Sequence, residues 1–370
     1  MRKKGKMSDK YKIDSHKLIY HPKRVSEWLD AHQSWDKAKK IYPIYVEISP
    51  VGFCNHRCTF CALDFMEYQH KKLDPRILKS RISEMSKLGI KSIMFAGEGE
   101  PALYKELPEI LDHCNYVKID TSLTTNMVPF NHSNTESFVK NCKWIKVSIN
   151  GGNAKNYAQI HRTNENDFYR VLENMRTAVS FRKSKNYKCA IGAQMMLLPD
   201  NHNTVLELAH TVKEIGLDYL VVKPYSQHLA SHTTKYKNID YSKYLYLDKE
   251  LKKFNSDFFK VIFRINPISK MIEKAGRYEK CFSVPFFWAY VTSGGDVYGC
   301  SAFLNDDKFC YGNIKEEKFK KIWEGEKRKL GYEYVGNELN IENCRINCRM
   351  DEINRYLWDL SNPSEHANFI

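Results

Sequence analysis

From residue 44 the chain takes up a rhythm that leaves few folds open to it. Short β-branched and apolar runs alternate with longer amphipathic ones. The runs YVEIS (45–49), SIMFAG (92–97), IDTSLTTN (119–126), WIKVSIN (144–150), AIGAQMMLL (190–198) and YLVVKP (219–224) read as strands. In DPRILKSRISEMSKLG (74–89), Ile77, Ile82, Met85 and Leu88 recur at helical spacing and Gly89 supplies a stop. Residues 167–183 and 204–216 follow the same pattern. Six strand–helix units predict an α/β fold with a parallel sheet. Its working residues should gather at the C-terminal ends of the strands. Six is two short of a closed eight-fold barrel, so a partial barrel is expected.

The flanks differ in composition. Residues 1–43 form a basic N-terminal extension with short helical pieces, and 44–229 the barrel. Residues 230–276, rich in Lys and Tyr, read as a mostly helical bridge. Residues 277–362 read as a small cysteine-rich α+β domain, and 363–370 as a tail. Within it, FFWAYVTSGGDVYGCSAF (286–303) carries a hairpin signal at Ser-Gly-Gly-Asp, and EKFKKIWEGEKR (317–328) a helix. A composition of 42% hydrophobic and 13% aromatic residues supplies a full core and argues against disorder. No run of about 18 apolar residues exists to cross a membrane. The opening lacks the apolar segment of a signal peptide, so a cytoplasmic location is expected. The net charge is +14, and residues 1–40 hold 12 Lys and Arg against 5 Asp and Glu. A solvated basic tail accounts for that half. The rest suits a basic face for an anionic, phosphorylated or nucleotide-linked substrate. Charge alone motivates an RNA-modifying reading, and no recognisable RNA-binding module supports it.

Eleven cysteines in a cytosolic chain are not a disulfide framework. Cys114, Cys142 and Cys189 stand alone and read as small buried hydrophobes. The others fall into two groups. CNHRCTFC puts Cys54, Cys58 and Cys61 within eight residues, one thiol short of a closed tetrahedral site. Thiolates suit iron–sulfur clusters, zinc or copper(I). Zinc would need a fourth ligand, for which His56 or His70 is at hand. A four-iron cubane held by three cysteines instead leaves one iron open for a small molecule.

These residues resemble the signature of the radical S-adenosylmethionine (SAM) superfamily, C-x₃-C-x-aromatic-C after the first strand of a partial (β/α)₆ barrel. Phe60 fills the aromatic slot. GEGEP (97–101) resembles the family's GGE motif, with Gly97, Gly99 and Glu100 kept and Glu98 as a departure. TTN (124–126), VSIN (147–150) and HRT (161–163) lie at the ends of the third and fourth strands and just beyond. The resemblance implies a 4Fe–4S cluster on Cys54, Cys58 and Cys61. It also implies SAM contacts from Phe60, Gly97, Gly99, Glu100, Thr124, Ser148 and Arg162, and a flavodoxin- or ferredoxin-type reductant. Reductive cleavage of SAM would give methionine and a 5′-deoxyadenosyl radical that abstracts hydrogen from an unactivated C–H bond. Arg162 suits the SAM carboxylate and Ser148 a second hydrogen bond.

Cys281, Gly295 and Cys300 in the order C-x₁₃-G-x₄-C, followed by the pair Cys344 and Cys348, resemble a SPASM or twitch extension. That implies one auxiliary 4Fe–4S cluster with Cys281, Cys300, Cys344 and Cys348 as ligands. Cys310 is an alternative ligand or a hydrogen donor. The expected function is therefore a radical SAM oxidoreductase, a dehydrogenase or epimerase. Its expected substrate is a small polar molecule, a carbohydrate or nucleotide-linked sugar. Cys310 and Lys223 are the catalytic candidates. Lys223, Tyr225, Gln227 and His228 form a polar set at the end of the sixth strand, and Glu47 and Gln194 are polar within otherwise buried runs. A SPASM-type peptide- or protein-modifying enzyme is the alternative. The short stretch ahead of the first strand leaves no room for a peptide-recognition module, which counts against it. A zinc-bound, non-catalytic binding protein is the rival of another class.

Overall fold

A computed structural model describes residues 11–13, 15–273 and 278–369. The basic opening (1–10) and the end of the bridge (274–276) lie outside the described residues. Ten strands form one sheet: β1 (Tyr45–Ile48), β2 (Ser92–Phe95), β3 (Asp120–Thr125), β4 (Cys142–Ser148), β5 (Ala190–Leu197), β6 (Tyr219–Pro224), β7 (Lys260–Phe263), β8 (Trp288–Val291), β9 (Asp296–Tyr298) and β10 (Cys310–Asn313). Their spatial order is β10-β9-β8-β1-β2-β3-β4-β5-β6-β7. β1 to β7 run parallel, as the alternation predicts for the first six.

The helices α1 (Pro22–Leu29) and α2 (Trp35–Ala38) precede the sheet. Then α3 (Pro75–Lys87), α4 (Leu107–Tyr116), α5 (His132–Asn141), α6 (Ala154–His161), α7 (Glu165–Ser184) and α8 (Val205–Ile215) connect the parallel strands. Local chemistry sets their ends. Asp74 caps α3 by accepting from the N–H groups of Arg76 and Ile77, with Pro75 in the first turn. Gly216, in the left-handed region, stops α8. Residues of one parity on the strands, such as Val46, Ile93, Leu123, Ile145, Ile191 and Leu220, are buried against these helices. The other parity (Glu47, Met94, Thr124, Lys146, Gln194) faces inward. β1 and β4 are not neighbours, yet Glu47 and Lys146 act on each other's charge, as a curled sheet requires.

Three features depart from expectation. The bridge holds α9 (Tyr246–Lys252) and α10 (Ile265–Glu273), but also β7, a seventh parallel strand on β6. Its four residues, KVIF, carry too little pattern to stand out in a lysine-rich segment. The cysteine-rich segment, moreover, shares the barrel's sheet. β8 pairs parallel with β1, Tyr45 opposite Trp288, and the antiparallel β9 and β10 extend the same sheet. The helices α11 (Phe319–Trp323), α12 (Glu326–Asn337) and α13 (Asp351–Ser361) complete it.

The third departure is that the N-terminal segment, where described, is docked. Trp28 is fully buried, its ring 5.4 Å from Phe282 and 6.4 Å from Phe287. Arg328 is fully buried and makes no ion pair among the described residues. Its guanidinium donates to the carbonyls of Pro285 (2.7 and 3.0 Å), Trp323 (2.6 Å), Lys39 (3.2 Å), Ala38 (3.4 Å) and Ile41 (3.4 Å). The Trp323 indole N–H donates to Ile41 O at 2.7 Å. One side chain thus ties α2 to the C-terminal segment. Burial pushes its pKa down to about 9.

Candidate active site

The loop after β1 carries Cys54, Cys58 and Cys61. It is pinned by Arg57 N–H to His161 O (3.2 Å), Thr59 N–H to Ile160 O (2.9 Å) and the bridge Val51–Lys72. Asp64 fastens its far end, accepting from the Ser231 hydroxyl (2.9 Å) and the N–H groups of His232 and Thr233. The three thiols are close enough to repel one another's charge. Burial raises all three pKa values, that of Cys54 to about 12, with the nearby Glu100 adding to it. Three such thiols suit a bound cationic centre, which alone stabilises the thiolates.

Among the described residues His161 and His56 could each offer a further ligand, a ring nitrogen of each and Cys58 Sγ lying within 4.8 Å of one another. The hydrogen bonds argue otherwise. The backbone N–H of Asn150 donates to His161 Nε2 at 3.1 Å. The proton is therefore on Nδ1, which donates to Cys58 Sγ at 3.2 Å. Both nitrogens are used, and His161 orients a thiol instead of binding a metal. His56 turns its Nε2 to Asp167 at 3.3 Å. The donor set fits an iron–sulfur cluster with three protein ligands.

The GEGEP segment meets this loop. A side chain at Gly99 would lie 2.2 Å from Phe53 O, and one at Gly97 (φ +124°) would lie 2.4 Å from Tyr290 OH. Only glycine lets the segment approach so closely. Glu100 is buried and accepts from Ala102 N–H (3.0 Å), the Thr125 hydroxyl (2.5 Å) and Asn126 N–H (2.6 Å). Burial lifts its pKa to about 7 against those three donors. Glu98 has a different task. Its carboxylate accepts from Ser293 N–H (3.1 Å) and the Ser293 hydroxyl (2.7 Å), which fastens the second strand to the β8–β9 turn.

Of the remaining candidates, Phe60 is half-buried and edge-on to His161. The Thr124 hydroxyl lies 3.5 Å from Met94 Sδ. Ser148 ends β4 opposite Gln194 on β5 and makes no hydrogen bond among the described residues. Arg162 is exposed with φ 51°, without an ion pair among the described residues. Tyr225, Gln227 and His228 are internally satisfied. Tyr225 OH donates to Gln227 Oε1 (3.3 Å), and the His228 ring pairs with Ser301 O (2.8 Å) and stacks on Phe65.

The late cysteines separate. Cys281, Cys300, Cys344 and Cys348 act on one another's charge, and burial raises the pKa values of Cys281, Cys300 and Cys348. Asn354 Nδ2 donates to Cys281 Sγ at 3.3 Å while its Oδ1 accepts from Ser283 N–H at 2.8 Å. No motif flags Asn354; only its place on the inner side of α13, between Asp351 and Leu357, marks it. Cys310 lies half-buried on the outermost strand opposite Tyr298, with Asp296 and Lys327 nearby, and β9 and β8 stand between its strand and β1.

Comparison with known proteins agrees with this geometry. Residues 48–212 match the radical SAM superfamily, and residues 281–349 match SPASM, an iron–sulfur cluster-binding domain. The chain is thus a radical SAM protein with a SPASM domain behind the barrel, and such a protein takes a SAM-binding 4Fe–4S cluster and an auxiliary cluster. Among curated relatives, a GTP 3′,8-cyclase of Psychromonas ingrahamii is 27% identical over 139 residues, 36% of this chain. The chain spans only 40% of that relative's length. Among solved structures, Streptococcus suis SuiB bound to its precursor peptide SuiA is similar, with a TM-score of 0.61 and 19% identity over 84% of this chain and 69% of SuiB. So is anSMEcpe with bound AdoMet and the Cp18Cys peptide, with a TM-score of 0.55 and 18% identity over 79% of this chain and 82% of that one. Among the described residues no helix is long and apolar enough to cross a membrane.

Proposed function

We propose that this chain is a SPASM-type radical SAM enzyme that takes a hydrogen atom from a substrate seated between the barrel mouth and the C-terminal cysteine set. The observation that carries it is the loop of three neighbouring, half-buried thiols beside a histidine whose two ring nitrogens are both engaged. When bound, the first cluster supplies the electron that cleaves SAM to methionine and a 5′-deoxyadenosyl radical, and the second is a site for a further electron. Cys54, Cys58 and Cys61 hold the first; Cys281, Cys300, Cys344 and Cys348 hold the second. Gly97, Gly99 and Glu100 border the SAM site. Ser148 at the end of β4 and Arg162 just after α6 suit the methionine end.

The solved structures favour a peptide or protein as the substrate, because two similar folds are seen with peptides bound. This shifts the balance from the small carbohydrate expected from the sequence. A small polar substrate, dehydrogenated or epimerised, is a second reading, favoured by the polar, half-enclosed inner face of the sheet.

Iron and sulfide analysis after anaerobic reconstitution tests the cluster assignment. About 8 iron per chain, falling to about 4 when Cys54, Cys58 and Cys61 are all replaced by Ala, is the expected result for two cubanes. The triple variant should also form no 5′-deoxyadenosine under dithionite. Iron near 4 or below in the wild type, as one cubane or none would give, or 5′-deoxyadenosine from the variant, would overturn the assignment.

A further inference from the structure

The segment bordering the SAM site has little stiffness of its own. Gly97 and Gly99 flank Glu98, and glycine leaves the backbone its greatest freedom. The placing of residues 97–100 therefore falls to whatever holds Glu98 and Glu100. Glu100 is held from within the barrel. Its N–H donates to Phe53 O at 3.0 Å, and its carboxylate accepts from Ala102, Thr125 and Asn126. Glu98 is held from two sides. Its N–H donates to Ser49 Oγ at 3.0 Å, just past β1, and Ser49 Oγ donates in turn to Val51 O at 3.0 Å. Its buried carboxylate reaches the other way, into the C-terminal segment, where Ser293 supplies both donors, N–H at 3.1 Å and hydroxyl at 2.7 Å.

Ser293 is itself a fixed point. It is buried in the turn between β8 and β9, where Gly295 N–H donates to Thr292 O and Thr292 N–H to Asp296 O, each at 2.9 Å. Asn313 on β10 fastens the same turn, its Nδ2 donating to Gly294 O at 3.1 Å and Asp296 Oδ1 at 2.8 Å. The Ser293 hydroxyl also lies against the start of the cysteine loop. A side chain at Gly52, two residues ahead of Cys54, would lie 2.8 Å from Ser293 Oγ. Tyr290, on β8, packs its hydroxyl against Gly97. One hydrogen-bonded turn of the C-terminal segment thus meets both the loop that carries the cysteines and the glycine segment. β9 leads from this turn to Cys300, two residues past its end.

We infer that Glu98 is a positioning residue for SAM: through Ser293 the C-terminal segment holds residues 97–100 in the arrangement that binds it. SAM affinity then depends on a part of the chain that lies beyond the barrel in sequence. A segment already held in its binding arrangement costs little to order when the ligand arrives. One left to its glycines binds only from the fraction of chains so arranged. The inference rests on the reading that Gly97, Gly99 and Glu100 border the SAM site.

Equilibrium dialysis of radiolabelled SAM against the anaerobically reconstituted holoprotein tests it. The protein is left unreduced so that SAM is not cleaved. Glu98→Ala should weaken binding about tenfold, the value of one charged hydrogen bond. Ser293→Ala keeps the N–H donor and should weaken it by about threefold, toward the low end for a single hydrogen bond. Glu98→Gln should retain most of the affinity, because its amide keeps an acceptor for Ser293 N–H and a partner for the hydroxyl. In the double variant the two losses should not add, since both variants break the same contact. A loss below about threefold in Glu98→Ala, an equal loss in Glu98→Gln, or additive losses would overturn the inference. Should Glu98→Ala fail to load iron, Ser293→Ala decides, and unchanged SAM binding there overturns the inference. A wild type that binds no SAM would instead overturn the proposed function, and this inference with it.

Discussion

Replacing Arg328 by Met should loosen the N-terminal segment from the rest of the molecule. The guanidinium is the donor that the structure shows for the carbonyls of Pro285, Lys39 and Trp323. The carbonyls of Ala38 and Ile41 keep other donors, Ile41 N–H and the Trp323 indole. Three buried acceptors therefore lose their partner, at a cost of about 1–3 kcal/mol each. Removing a buried charge offsets part of this, so the low end applies, about 3 kcal/mol in total. Two clusters make global unfolding a poor measure, because bound cofactors break two-state behaviour. Native-state hydrogen exchange reads the local opening directly. Amides of residues 35–41 should exchange about 100-fold faster in Arg328→Met, since 1.4 kcal/mol is a factor of ten. Arg328→Lys should fall between, because an ammonium cannot span the same fork of acceptors. Acceleration below about fivefold, roughly 1 kcal/mol, would show that water or neighbouring groups satisfy these carbonyls and that the staple reasoning is wrong.

Further outcomes follow from the site. His161→Phe removes the donor to Cys58 Sγ; if Cys58 is a ligand, the first cluster's reduction potential should fall, as a redox titration followed by electron paramagnetic resonance would detect. Gly99→Ala places a methyl 2.2 Å from Phe53 O, so the cysteine loop must shift; iron should fall by about half, as loss of one of two cubanes requires, with the auxiliary set still loaded.

Much of the barrel is legible in the sequence because its strands are apolar runs that alternate with helices repeating an apolar face. β7 and the β1–β8 pairing are not. KVIF is as long as β1 and β2 but stands in a lysine-rich segment outside that alternation, and pairing between residues 45 and 288 leaves no local trace. The cysteines announce themselves by spacing, and GEGEP by its glycines. The residues that orient them do not. His161 stands beside the arginine that the motif highlights, and its contact to Cys58 depends on the end of α6 meeting the cysteine loop. Glu98 departs from the family pattern at one position, and the structure supplies the reason in Ser293, which lies in the turn after β8.

The pairing of β1 with β8 also orders events during synthesis. β1 leaves the ribosome early and finds β2 soon after, but its other edge has no partner until residues 288–291 are made. At about 5–20 residues per second that wait lasts on the order of 10 to 50 seconds. Throughout it the nascent chain exposes an unpaired strand edge, a surface prone to joining other chains. The loop that follows this strand carries Cys54, Cys58 and Cys61. Iron delivered before β8 arrives would therefore meet a loop still lacking its final support, and chains cut short ahead of residue 288 should be recovered mainly as aggregates.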